Sequence, residues 1–184
     1  MNSLKQKVIS KVENIYKHGD IKYAIWNYIE RDFWVKYFEE WFPNMYLYNA
    51  TDFNYSTCFT VTLNISPING NFLSKNFDNY IEKKGYADLL SVDISVLAPY
   101  AIIRYVQYRL INKEYIPYNS YIPFNPEHEG YGNKVKEELE KRRISILEDE
   151  ILFAKVDPEI SLELRTEDVR VYNCLFDDVD GWPK

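Results

Sequence analysis

Histidine is the side chain that most often moves protons at neutral pH, and this chain has two, His18 and His128. His18 falls in the last turn of a predicted helix, where a positive charge complements the helix dipole without any substrate. His128 stands in Pro126-Glu127-His128-Glu129-Gly130-Tyr131, at a loop-to-helix junction. Flanking glutamates raise an imidazole pKa when they lie close, and they also suit a helix start. A small-substrate enzyme would need Glu127 and His128 to converge with Arg104. Nucleophilic chemistry has less to work with: there is no Gly-x-Ser-x-Gly elbow. Cys58 and Cys174 stand in apolar runs without the electropositive neighbours that favour a thiolate.

Other constellations are thinner still. The chain has no His-x-x-x-His and no Cys-x-x-Cys pair, and Glu148-Asp149-Glu150 offers three neighbouring carboxylates that do not converge on one ion. No metal and no cofactor is expected, and Asp177, Asp178 and Asp180 near the end read as solvated. Glu82-Lys83-Lys84 has an acid-x-lysine spacing but falls at a helix end, while Glu163-x-Arg165 and Asp168-x-Arg170, on predicted strands, carry arginine. Gly130-Tyr131-Gly132 follows no strand and matches no phosphate-binding fingerprint. The net charge of -6, from 28 acids and 22 bases, disfavours nucleic acid as a partner. Lys141-Arg142-Arg143 clusters at a helix C-terminus, where the dipole explains it, and parity puts Arg104 and Arg109 on opposite faces of one strand.

What remains is Tyr115, Tyr118, Tyr121 and Phe124, interleaved with Asn112, Asn119, Ser120 and Asn125 in a predicted connection over 112–126. Rigid aromatic rings among small polar residues have the composition of binding loops. With the acidic neighbours Glu127 and Glu129 they form the expected partner-binding set. The competing reading is a structured connection whose rings cover the core while Pro117, Pro123 and Pro126 stiffen it.

The elements that must position these residues are legible in part. Ser3 and Gln6 have capping-box spacing, Leu4, Val8, Val12 and Ile15 recur at helical spacing, and Gly19 closes the helix. Asp20 can cap a second helix through Ile21, Ala24, Ile25, Tyr28 and Ile29, continuing past Asp32 until Pro43 stops it. Trp34, Phe38 and Trp41 share its apolar face. Residues 57–65 alternate as a strand, with Phe59, Val61, Leu63 and Ile65 toward the core; Pro67 and Asn69-Gly70 break it. Further expectations are a helix over 72–84 ending near Gly85, strands over 92–97 and 100–111, and a helix over 127–143 with Glu137–Lys141 and Glu138–Arg142 pairs. Residues 144–156 are apolar around Glu148-Asp149-Glu150, with no state assigned, and a terminal hairpin is expected from 161–164 and 169–176. Two helices before a mostly antiparallel sheet, with further helices packed on it, give an α+β fold.

Length and composition frame this. A chain of 184 residues, 46% apolar and 27% charged, with six glycines and eight prolines, fits a single domain over 1–184. Seventeen tyrosines stand out. Two cysteines make no disulfide framework, and no signal segment or membrane span is read, so a cytoplasmic location is expected.

The stretch Val169-Arg170-Val171-Tyr172-Asn173-Cys174-Leu175-Phe176-Asp177-Asp178 resembles the ending of small bacterial proteins, including immunity proteins that neutralise toxins. The resemblance implies a small, cytoplasmic, non-catalytic protein that covers or plugs a toxin; it transfers no functional residue. The function expected from the sequence is therefore a non-enzymatic protein-binding module of the immunity or antitoxin type. The alternatives are the enzyme using Glu127, His128 and Arg104, and a subunit of a larger bacterial assembly docking through Trp34, Phe38 and Trp41.

Overall fold

A computed structural model describes residues 3–27, 30–54, 56–68 and 74–177. Its frame is an antiparallel meander in the order β1 (Tyr46–Asn49), β2 (Cys58–Asn64), β3 (Tyr86–Ser95), β4 (Tyr100–Ile111) and β5 (Glu114–Ser120). A short β6 (Ser145–Ile146) runs parallel to β4 at its other end. Helices α1 (Leu4–His18), α2 (Lys22–Asn27), α3 (Phe33–Trp41), α4 (Lys75–Lys84), α5 (Pro126–Lys141), α6 (Asp149–Leu152) and α7 (Val171–Leu175) complete an α+β fold.

Side chains alternate across a strand, so the ladder register defines two faces. On the first, Val61, Leu63, Leu90, Val92, Ala101, Ile103 and Tyr105 pack under α3 and α5. Trp34, Phe38 and Trp41 are buried there. Arg142 of the α5 C-cap lies over the Tyr37 and Trp41 rings at 4.4 and 4.9 Å, and Lys134 donates to the Trp41 carbonyl. On the second face, α1, α6 and α7 cover Cys58, Tyr100 and Ile102, while Phe77 and Ile81 of α4 cover Ala87, Leu89 and Val106.

Several elements follow the sequence closely. Ser3 accepts from the Gln6 amide to start α1, and Gly19, at φ 65°, ends it in the left-handed region that favours glycine. Strand β4 has the expected bounds. Glu138 holds both Lys141 and Arg142, at 2.6 and 3.7 Å; the pair expected from Glu137 is not among those formed.

Other expectations are corrected. The second helix does not run through Asp32: α2 and α3 are separate, with a turn at 31–32. The Asp32 carboxylate takes the Asn49 amide at 2.6 Å. Tyr28, Ile29, Asn69, Gly70 and Phe72, and the final residues including Asp178 and Asp180, lie outside the described residues. Strand β3 begins at Tyr86, six residues before the expected start at 92. Nine of its ten residues, Leu89 among them, are buried, so no alternation marks it. The open connection over 112–126 contains a strand, β5, joined to β4 through Asn112 and Lys113, both at positive φ (53° and 70°). That is the geometry of a two-residue hairpin turn. The terminal hairpin is absent: Val171–Leu175 is a helix with every residue buried, and the Arg170 amide donates to Asn173. Uniform burial removes the period by which a helix and a strand are told apart.

Candidate functional site

One end of the first sheet face is left open. Beyond the start of α5, Tyr86 of β3, Arg109 and Ile111 of β4, and Tyr118 of β5 stand on that face with no described helix over them. Tyr86 and Ile111 are each 41% exposed and Tyr118 37%. The Arg109 guanidinium lies 4.5 Å from the Tyr118 ring centroid. Exposed tyrosines around a stacked arginine have the composition of binding hot spots.

The patch is held from beneath. Arg109 Nε donates to Gln107 Oε1 at 2.7 Å, Gln107 Nε2 to Asp88 Oδ1 at 2.9 Å, and Asn125 Nδ2 to Asp88 Oδ2 at 2.8 Å. Asp88 and Gln107 are buried. The relay therefore links the α5 N-cap, Asn125, to the exposed guanidinium through two strands. Fixing Arg109 before contact lowers the ordering cost of binding. Asp88 also lines a recess of about 300 Å³ with Tyr80, Tyr86, Asn125 and Glu127 at the edge of the patch.

The six residues expected to bind a partner do not form one surface. Tyr115 points to the second face, where its hydroxyl donates to Asp78 Oδ1 at 2.6 Å and its ring meets Phe77 edge-on. Donating to that carboxylate, with burial second, pushes its pKa up to about 12. Tyr118 is on the open face. Tyr121 packs against the α1/α7 core, and Phe124 packs on His128 at 5.7 Å. Glu127 and Glu129 are exposed in the first turn of α5. The cause is β5 itself: positions 115 and 118 differ by an odd number, so a strand sends them to opposite sides. Tyr86, Gln107 and Asp88 were missed. Arg109 was read only as a strand charge opposite Arg104, and that opposition holds.

The catalytic alternative does not assemble. His128 is fully buried, its Nε2 is 3.1 Å from the Leu89 carbonyl, and its Nδ1 meets no hydrogen-bond partner among the described residues. Burial lowers its pKa, opposed by Asp88. Arg104 is on the second face, across the sheet from His128 and Glu127. There its Nη2 contacts both Asp93 oxygens, at 2.9 and 2.7 Å, and Ser91 at 3.3 Å, while Thr60 Oγ1 donates to Asp93 at 2.9 Å. Burial alone would lower the Arg104 pKa, but Asp93 overrides it and raises the value. A recess of about 260 Å³ opens beside this pair, walled by Asp52, Ser56, Tyr172 and Asp177. Asp177, expected as solvated tail, is half-buried there. Cys58, on the same wall, has its thiol pKa pushed up by burial, which opposes thiolate chemistry.

The outer edge of β5 is guarded. Ala101 turns its carbonyl toward β6, accepting from Leu147, so odd-numbered β4 residues face the β5 side and Pro117, opposite Tyr108, faces outward. A proline there removes a donor that an added strand would use. Among the described residues no helix is long and apolar enough to cross a membrane.

Compared with known proteins, the chain matches no protein-family model, no curated protein and no solved structure.

Proposed function

We propose that this chain is a non-catalytic protein-binding module whose partner docks on the open sheet face around Tyr86, Arg109, Ile111 and Tyr118. The observation that supports it most is the prearranged Arg109–Tyr118 stack, anchored through Gln107 to buried Asp88. Interfaces draw most of their energy from a few aromatic and arginine anchors already in place. The sequence resemblance of the C-terminal stretch makes an immunity-type role, with a toxin as partner, the specific form of the proposal.

Co-purification from the native host tests it. The wild-type chain is expected to recover one protein in stoichiometric amount, and a folded Arg109→Ala/Tyr118→Ala variant to lose it. Co-expression is expected to relieve that protein's toxicity. Recovery of the chain alone across salt conditions, or equal recovery by the variant, would overturn the reading.

A further inference from the structure

We propose that the recess beside the open face receives a lysine or arginine side chain of the docked protein, with Asp88 and Glu127 as its counter-charges. This rests on the binding-face reading and specifies the chemistry of the partner at one point.

Asp88 is only 6% exposed, yet the two donors its carboxylate oxygens receive, from Gln107 and Asn125, are neutral amides. An ionised carboxylate offers about four acceptor positions, so the group keeps capacity for a charged donor. No ion pair to it is formed among the described residues: the nearby Arg109 bonds Gln107 and stacks on Tyr118 instead. A buried charge is ordinarily matched by a cation. Here the place beside it is a recess of about 300 Å³, open to the surface, with Glu127 on the rim. Its remaining walls suit the same occupant. Tyr80 and exposed Tyr86 present rings against which the methylenes of a long cationic side chain can lie, while its charged head faces the carboxylates. An anionic partner group would meet two like charges. A metal ion would find only two carboxylates on a wall otherwise of isoleucine, serine, asparagine, tyrosine and proline, and no group of three His, Cys, Asp or Glu side chains is poised for one among the described residues.

The probes are N-acetyl-arginine methylamide and its neutral counterpart N-acetyl-citrulline methylamide, titrated into the isotope-labelled full chain by amide NMR. The arginine probe is expected to shift the Asp88, Asn125 and Glu127 amides saturably at millimolar concentration, about tenfold tighter than the citrulline probe. Glu127→Gln, at an exposed helix start, keeps the fold and weakens the arginine probe severalfold; Asp88→Asn abolishes the preference. Equal shifts from both probes, or shifts confined to other amides, would overturn the assignment. The two ideas separate cleanly. If Arg109→Ala/Tyr118→Ala loses the protein partner while Glu127→Gln, outside the Asp88–Gln107–Arg109 relay, retains full affinity for it, the recess fails alone. If the arginine probe binds the recess but the Arg109→Ala/Tyr118→Ala variant keeps its partner, the binding face fails and the cation site stands.

Discussion

Gln107 is the hinge of the relay beneath the open face, so replacing it with glutamate gives a sharp test. In Gln107→Glu a second carboxylate oxygen would stand where the amide nitrogen now lies, 2.9 Å from Asp88 Oδ1. At an effective dielectric of ~20, two charges at that distance repel by about 6 kcal/mol. The folded protein avoids most of this by taking up one proton between the pair, as close carboxylates do. Keeping a carboxyl with an ordinary pKa near 4.3 protonated at pH 7 costs about 3.7 kcal/mol, and at pH 5 only about 1 kcal/mol. Arg109, whose Nε already bonds Oε1 of residue 107 at 2.7 Å, gains a charged acceptor and offsets part of the loss. The expected destabilisation is therefore about 3 kcal/mol at pH 7 and at most about 1 kcal/mol at pH 5. The sign follows from proton binding: the pair's folded pKa is raised, the folded state holds the extra proton, and lowering the pH favours it relative to wild type. Urea denaturation of both proteins at the two pH values measures this, provided the slopes agree. A loss under about 1 kcal/mol at pH 7, or the same loss at both pH values, refutes the relay as described.

Two further perturbations probe the supports on either side of the sheet. Arg104→Met strands the 3% exposed Asp93 side chain and is expected to cost about 3 kcal/mol, with Asp93→Asn added to it restoring part of that; urea midpoints decide, and an unaffected single variant contradicts the pairing. His128, buried and with a lowered pKa, contributes stability that is complete above its unfolded pKa near 6.5 and is lost as the pH falls toward its folded value. The wild type should weaken between pH 7 and 5 by up to about 1.4 kcal/mol per pH unit, and His128→Gln should flatten that slope; parallel profiles would show that His128 does not titrate with unfolding.

The residues determined much of this molecule locally. Ser3, Gly19 and the spacing of Val8, Val12 and Ile15 define α1 because capping and periodicity act within one helix. The α+β order and the opposed placement of Arg104 and Arg109 were likewise legible, since strand parity is a local property. Where burial is complete along a run, as over 87–95 and Val171–Leu175, the sequence carries no contrast between inside and outside. The open face was illegible for a different reason. Tyr86, Asp88, Gln107, Arg109 and Tyr118 come from three strands, and only the register that sets Tyr86 opposite Arg109 and Gln107 opposite Tyr118 brings them together. The length of α5 then decides where its cover stops, leaving that end of the sheet with no described helix over it. Which tyrosines cluster in sequence follows from composition; which of them reach solvent side by side is decided by strand pairing and by the helix that ends short of them.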